Sequence, residues 1–415
     1  MTGTGVEPIE REAPLEAASP RRPPVLALVA ISALSPFAIN AVVPSMPAIE
    51  QAFDADYGRV QLILSLFLAA VAVSQIVIGP LSDRFGRRPV LLWGFAVFVV
   101  ASAASPFAPS VEGLIAIRIL QGATGCVGIV LGRAIVRDLF ERRQAASMLG
   151  YVTMGLAVAP MVAPVIGGGL QAAFGWTAIF WFTALLGAGC VVVTWAYVPE
   201  TNLQPTQRLS FASMFSDFRQ LLRSVDFLLF TASSGLTTGV FFAFLGGTPY
   251  VAEHILELSP AVYGLWFGAA PVGYVCGNYV AGRFTERFGV ARMILAGSVI
   301  GLIAASLPPF FFYYLGFVGA AELFLPMILV GVANGLSLPS AISGAISIRP
   351  AIAGAASGLS GAAQIGTGAV LSAAAGAVLT GGSSAAPMFA LMFGAALLAV
   401  LVALALYPRN RRSTM

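Results

Sequence analysis

The chain contains no lysine, one histidine and three cysteines among 415 residues, and charged residues make up only 10% of it. The cysteines show neither paired spacing nor a nearby histidine, so no metal site is predicted. A Walker loop and a dinucleotide-binding glycine motif are also missing, which argues against ATP or a nicotinamide as an encoded source of energy. The net charge of +4 comes from scattered arginines without a basic patch, so we expect no nucleic-acid partner.

Hydrophobic residues, in contrast, make up 58% of the chain. A helix that crosses a bilayer needs about 20 mainly apolar residues, and twelve runs of that length are present. The predicted spans of the first half are 25 to 46, 59 to 80, 89 to 107, 110 to 131, 144 to 170 and 174 to 198. Those of the second half are 226 to 250, 259 to 283, 292 to 315, 322 to 341, 351 to 379 and 385 to 407. We therefore predict an all-α membrane protein with twelve transmembrane helices in two pseudo-symmetric six-helix bundles, and the lipid bilayer is its first partner.

The arginines indicate how these spans are oriented. All of them except Arg59 and Arg118 fall in tails, loops or helix ends on one predicted side, whereas Glu50, Glu112 and Glu253 fall on the other. The positive-inside rule then places both termini in the cytoplasm. The predicted organisation is a tail at 1–24 without a cleaved signal peptide, a bundle at 25–198, a connector at 199–225, a bundle at 226–407 and a tail at 408–415.

A short charged loop lies between the second and third spans. Its sequence runs Gly79-Pro80-Leu81-Ser82-Asp83-Arg84-Phe85-Gly86-Arg87-Arg88. Part of it recurs 203 residues later, where Gly282, Arg287, Phe288 and Gly289 repeat Gly79, Arg84, Phe85 and Gly86. The loop resembles the G-x-L-x-D-R-x-G-R-R signature of the major facilitator superfamily, and the repeat fits two parallel halves. We predict that this loop gates transport through Asp83; the alternative is that it only anchors the topology.

The fourth span carries an arginine within an apolar run. Arg118, Gln121, Gly122 and Gly125 share one helical face, because their spacings are three and four residues. An intramembrane arginine is expected to face a cavity, so Arg118 and Gln121 are predicted to contact substrate. The alternative is that Arg118 only ties helices together.

The fifth span is rich in proline and glycine. Pro160 and Pro164 interrupt the backbone hydrogen bonds of the predicted helix. Gly155, Gly167 and Gly168 leave parts of its surface without side chains. The segment Ala163-Pro164-Val165-Ile166-Gly167-Gly168 resembles the G-P-x-x-G-G antiporter motif of drug-efflux members of the superfamily. Without that resemblance, small residues and prolines of this kind equally suit close helix packing.

Further segments resemble the Bcr/CflA branch of twelve-span drug:proton antiporters, which exports bicyclomycin, chloramphenicol and florfenicol. They include Val60-Gln61-Leu62, Ser74-Gln75, the run from Gly132 to Phe140 with its pair Arg137-Asp138, and Thr248-Pro249-Tyr250-Val251. Pro44 and Pro47 match as well, but the position four before Pro44, usually an acid in that branch, is Asn40. The resemblance implies proton-driven multidrug efflux by alternating access from the bacterial inner membrane, with no cofactor and with the protein acting as a monomer.

No carboxylate is predicted at mid-depth, and this constrains the substrate. A cation in a low-dielectric cavity needs an acidic partner, so we expect neutral or weakly acidic, phenicol-like amphiphiles instead. The predicted cavity residues are Asn40, Gln75, Arg118, Gln121, Phe241, Phe244, Tyr274 and Asn278. Transport of a small organic-acid metabolite is the alternative, motivated by Arg118 and by Asn40 in place of an acid.

An intramembrane serine protease is a remote second alternative. Gly358-Leu359-Ser360-Gly361 matches a G-x-S-G nucleophile pattern. A serine nucleophile needs a general base, and the only histidine, His254, is predicted in a loop on the far side of the seventh span. An enzyme is therefore not predicted.

Overall fold

The computed structural model describes residues 22–140, 142–202, 211–268, 270–315, 319–349, 352–380 and 384–412. Within these ranges the regular structure is entirely helical. The first half consists of α1 (Val25–Ala41), α2 (Met46–Phe53), α3 (Tyr57–Phe85), α4 (Arg87–Ala104), α5 (Val111–Gly125), α6 (Val127–Leu139), α7 (Arg142–Phe174) and α8 (Thr177–Tyr197). Helix α9 (Phe211–Leu222) lies in the predicted connector. The second half consists of α10 (Val225–Tyr250), α11 (Pro260–Phe267), α12 (Ala270–Phe288), α13 (Val290–Leu315), α14 (Ala320–Phe324), α15 (Pro326–Ser347), α16 (Ala353–Leu379) and α17 (Ala386–Arg412).

Among the described residues, 10 helical stretches are long and apolar enough to cross a membrane. They correspond to ten of the twelve predicted spans. The two others coincide with α7, whose apolar part is Val158–Phe174, and with α11 followed by α12. The protein is therefore an all-α, multi-pass membrane protein, as the sequence predicts.

Two predicted spans are longer and less regular than expected. The first stretch runs from Val25 to Phe53, with a short 3₁₀ turn at Val43–Ser45 between α1 and α2. This break has a local cause, because the backbone nitrogens of Pro44 and Pro47 cannot donate to a helical carbonyl. The fourth stretch continues to Leu139 and is interrupted at Cys126, between the end of α5 and the start of α6.

Helix ends are fixed by local signals in the sequence. The side chains of Asp56, Ser110, Ser224 and Ser259 each accept a hydrogen bond from a backbone N–H in the first turn of the helix that follows. Gly86 and Gly289, which the repeat pairs, adopt φ values of 94° and 85° in the turns after α3 and α12. Glycine tolerates these conformations because it has no Cβ.

The two halves meet along specific helix pairs. Helix α3 packs against α16, and α7 packs against α11 and α12. Helix α9 packs on α10 and α16 of the second half. We call the end that holds Glu50, Glu112 and Glu253 the acidic end, and the end that holds Asp83, Arg87 and Asp138 the motif end.

Candidate functional site

A cavity of about 290 Å³ lies between the two halves. Of the residues predicted to line it, Asn40 and Gln75 do so from the first half and Phe241 and Tyr274 from the second. It also extends along α6, α15 and α16 towards the motif end, where Arg133, Ile342 and Ser357 contribute to its wall. Most of the remaining wall is aliphatic or aromatic, so the cavity can hold an apolar molecule with a few polar groups.

Asn40 lies at the end of α1 and is buried. Its Nδ2 donates to the carbonyl of Pro36 at 2.8 Å, which fixes the orientation of the amide. The other amide atom, Oδ1, has no hydrogen-bond partner among the described residues. A buried acceptor without a partner is costly, so this oxygen is available to a donor from a bound molecule.

Two glutamines lie where α3 meets α16. Gln75 reaches across from α3, and its Oε1 would lie 2.9 Å from a Cβ added at Gly361. Gln364 on α16 also lines the cavity and donates to the hydroxyl of Thr238 at 3.0 Å. These amides give the cavity wall directional hydrogen-bonding groups without adding charge.

Arg133 is a cavity residue that the sequence reasoning missed. It lies on α6, is half-buried and lines the cavity together with Tyr274 of the second half. The predicted fourth span ends at residue 131, so the sequence places Arg133 just beyond it, where an arginine is typical of an anchor at the membrane surface. The helical stretch continues as α6 to Leu139, beyond the predicted end of the span, and so Arg133 lies within the bundle.

Arg118 does not line the cavity, although the sequence predicts that it does. Its side chain is 1% exposed and donates to the backbone carbonyls of Ile63 at 3.4 Å and Ala38 at 3.3 Å. It also donates to Gln121 Oε1 at 3.1 Å and stacks its guanidinium over the ring of Phe67, 4.1 Å from the centroid. The guanidinium therefore ties α5 to α1 and α3 inside the first half, which is the alternative considered above.

Three other predicted cavity residues are also absent from the described lining. Gln121 donates to the hydroxyl of Ser102 at 2.7 Å within the first half. Phe244 is fully buried, with its ring stacked on Phe267 at 5.7 Å between centroids. Asn278 lies one turn after Tyr274 on α12 and donates to its backbone carbonyl at 2.8 Å. These side chains shape the helices around the cavity.

The predicted gating loop forms a compact polar cluster at the motif end. Arg87 pairs with Asp83 at 2.5 Å and with Asp138 at 3.3 Å. Asp138 also accepts from the hydroxyl of Thr201 at 2.8 Å. The predicted pair Arg137-Asp138 thus joins the loop through its acid, whereas Arg137 is exposed.

Glu200 completes this cluster and was not predicted. Its carboxylate accepts from the backbone N–H groups of Arg87 at 2.9 Å and Arg88 at 3.1 Å, at the start of α4. An anion at a helix N-terminus is favoured by the unpaired N–H groups and by the helix dipole. Arg88 donates to the backbone carbonyl of Trp195 at 2.8 Å. The guanidinium of Arg84 lies 5.1 Å from the centroid of the Phe85 ring. Gly79 lies within α3, and a Cβ added there would meet nothing within 4 Å.

The predicted antiporter motif lies on α7 at the junction of the halves. Pro160 lines the cavity, and a Cβ on Gly167 would lie 2.1 Å from the carbonyl oxygen of Ala41. A Cβ on Gly168 would lie 2.4 Å from the carbonyl oxygen of Pro260, and one on Gly264 would lie equally close to that of Pro164. These glycines let α7 approach α1 and α11 with their backbones nearly in contact. The surroundings of Gly155 lie outside the described residues.

The arrangement defines a membrane transporter: two helical halves surround a central cavity, and the polar clusters sit at the ends. Ser360 and His254 do not form a protease pair, because His254 lies beside Glu50 at the acidic end while Ser360 is buried in α16. The chain belongs to the Major Facilitator Superfamily, whose family model matches residues 28–256.

Sequence relatives confirm the drug-efflux resemblance. The chain is 32% identical to multidrug resistance protein D of Escherichia coli (strain K12) over 89% of its length and 92% of that protein. It is 27% identical to the bicyclomycin resistance protein homolog of Haemophilus influenzae, over 94% and 97% of the two chains. The chloramphenicol resistance protein of Pseudomonas aeruginosa is 29% identical over 78% of this chain and 76% of the relative.

Solved structures show the same fold. The peptide transporter POT in complex with alafosfalin superimposes with a TM-score of 0.75 at 14% identity, covering 94% of each chain. The nucleoside transporter NupG gives a TM-score of 0.71 at 15% identity, over 92% of this chain and 99% of that one. At such identities the similarity establishes the fold and leaves the substrate open.

Proposed function

We propose that this protein is a proton-driven exporter of neutral or weakly acidic amphiphiles, such as phenicol-like antibiotics, and that it needs no cofactor. The cavity supports this substrate class, because its described lining includes neither Asp nor Glu. A cation placed there would lose its hydration without gaining a carboxylate, which is unfavourable in a low-dielectric site. The names of three relatives, which refer to multidrug, bicyclomycin and chloramphenicol resistance, support export.

Differences between the two ends of the molecule support access of the substrate from the cytoplasm. Gln51 donates to Glu253 at 3.0 Å and Tyr57 to the carbonyl of Gly246 at 2.6 Å, so the halves are joined at the acidic end. The cavity extends towards the motif end, which the arginine distribution places in the cytoplasm. In this conformation a molecule would enter from the cytoplasm of a bacterial cell, with the protein in the inner membrane as a monomer and both termini cytoplasmic.

The proton-carrying group is not evident from the cavity, since Asn40 stands where an acid is usual. Asp83 and Asp138 share Arg87, and Glu322 accepts from the backbone N–H of Gly319 at 3.1 Å. Glu50 and Glu253 are further candidates, because they lie on opposite halves, close to His254 and to each other while the acidic end is closed, and opening of that end would separate their charges.

The experiment is accumulation of a labelled phenicol in cells stripped of their own efflux pumps, with and without a protonophore. We expect lower accumulation in cells that contain the protein, reversed by the protonophore, and slower export by Asp83→Asn at equal protein levels. Accumulation that does not depend on the protein would contradict phenicol export.

Transport of an organic acid remains the second candidate, because Arg133 offers a positive charge in the cavity. Competition by small carboxylates without an apolar part would favour it. If only amphiphiles compete, the efflux proposal stands.

A further inference from the structure

The cavity contains one feature that export of neutral molecules does not require. Arg133 is a charged side chain in its wall, and no hydrogen bond or ion pair with another described residue involves its guanidinium. The nearest acid in sequence on α6, Asp138, is occupied by Arg87 and Thr201. A half-buried guanidinium whose N–H donors have no partner among the described residues favours an anion that accepts from several of them.

Close helix packing holds Arg133 in this position. A Cβ on Gly128 would lie 1.8 Å from the carbonyl oxygen of Ile31, so α6 lies directly against α1. Leu131, Gly132 and Ile135 are buried around it, which leaves Arg133 directed to the cavity side of α6. Arg137, one turn further on, adds positive potential to the same region.

The second half supplies a matching donor. Tyr274 on α12 lines the same cavity and lies within electrostatic range of Arg133. Its phenolic hydroxyl can donate to an oxyanion that the guanidinium also contacts. Phe241, Leu338 and Ile342 provide apolar wall in the same cavity, so the anionic group would carry an apolar body.

We propose that Arg133 and Tyr274 form an anion subsite that binds the carboxylate, or a similar oxyanion, of a singly charged amphiphile and so joins the two halves around it. This inference rests on the proposed function, because it assumes that the cavity is the transport site. One guanidinium balances one negative charge; a dianion or a cation would leave a charge unpaired.

The test is direct binding to the purified full-length protein in lipid nanodiscs with three probes of one shape: 1-naphthylacetate, its neutral amide, and 1-naphthylethylamine. We expect the native protein to bind the carboxylate at least about tenfold more tightly than the amide, and the amine most weakly. Arg133→Gln should remove this preference while its affinity for the amide stays within about twofold. Arg133→Lys should restore part of it, and Tyr274→Phe should lower it a few-fold.

Arg283→Gln is the matched control, because Arg283 is exposed on α12 and does not line the cavity. It should bind all three probes like the native protein. A native protein that does not prefer the carboxylate, or an Arg133→Gln variant that keeps the preference, would overturn the subsite.

The outcome is separable from that of the proposed function. Protonophore-sensitive phenicol export without a carboxylate preference would remove the subsite and leave the exporter. An Arg133-dependent carboxylate preference without phenicol export would support the anion subsite and contradict the proposed phenicol export.

Discussion

The acidic end and the motif end of the bundle are held by contacts of different kinds. At the acidic end, described contacts cross between the halves: Gln51 to Glu253, His254 to Glu50 at 3.8 Å, and the rings of Tyr57 and Tyr250 at 5.0 Å. At the motif end, the cluster around Arg87 and Glu200 joins loops of the first half to one another. Alternating access requires one junction to separate while each half stays intact. The difference indicates that the two halves separate at the acidic end, whereas the cluster at the motif end keeps the first half rigid.

The junction of the halves at the acidic end also contains close contacts between backbones. A methyl group added at Gly79, Gly282, Gly354 or Gly358 would meet nothing within 4 Å, whereas one added at Gly168 or Gly264 would collide with backbone across the junction. Backbone cannot move aside as a flexible side chain can, so a larger residue at Gly168 or Gly264 would require α7 and α11 to shift apart. Substitutions at these glycines should show the comparison most clearly.

The largest effect is expected for Gly168→Val. Its Cβ would lie 2.4 Å from the carbonyl oxygen of Pro260, so α7 and α11 must separate and the acidic end cannot close. We expect transport in proteoliposomes to fall at least about tenfold. Gly264→Val, which meets Pro164 from the other side, should do the same.

Gly169→Val is the control, because a Cβ added at Gly169 meets nothing within 4 Å. It keeps the composition and the helix-propensity change of Gly168→Val. If both variants transport equally well, or equally poorly, close packing at this junction is not what closes the acidic end.

A smaller loss is expected for Gly86→Ala at the motif end. Alanine at φ 94° is strained by about 1 to 3 kcal/mol, and its Cβ would also lie 2.5 Å from Glu200 Oε2. The carboxylate that holds the start of α4 would have to move. We expect the free energy of unfolding in detergent to fall by about 2 to 4 kcal/mol.

The repeat supplies a matched control in Gly289→Ala. Gly289 has a similar φ of 85°, but nothing lies within 4 Å of its added Cβ. It should lose only the strain, about 1 to 3 kcal/mol. Equal losses at the two positions would show that Glu200 contributes nothing to the stability of the motif end.

The sequence predicted the helices better than it predicted the cavity. Apolar length and the loop motif suffice for the spans, because a bilayer imposes one length on every helix. Which face of a helix turns to the cavity depends on packing between distant helices. Arg118 and Arg133 are fifteen residues apart on one predicted span and its extension, yet the first is buried within the first half and the second lies in the cavity wall.

The prediction that Asn40 and Gln75 line the cavity relied only on local features of the sequence. Both positions follow from motifs close to a proline or a span end, where the chain direction is fixed locally, and both line the cavity. Glu200 could not be found this way. Its role depends on the N–H groups of α4, more than 110 residues earlier in the chain, and no local pattern marks that contact.

The smallest of the expected effects concerns a single hydrogen bond across the halves. Gln61 on α3 donates to the hydroxyl of Ser372 on α16 at 2.7 Å, and both side chains are buried. Ser372→Ala leaves the amide without this partner, which costs about 1 to 3 kcal/mol while the halves are closed there. The acidic end should then open more often, and a cysteine introduced at Ile39 in the cavity wall should react several-fold faster with an impermeant thiol reagent added from the acidic side.

Ser65→Ala separates this effect from a general loss of polar contacts. The hydroxyl of Ser65 donates to the same glutamine, at 2.8 Å to its Oε1, but it belongs to the first half. Because this bond lies within one half, Ser65→Ala removes it whether the acidic end is closed or open. The change should therefore leave the labelling rate nearly unchanged. If Ser65→Ala accelerates labelling as much as Ser372→Ala, then Gln61 acts by stiffening α3, and the closure of the acidic end rests on the packing of α7 with α11 instead.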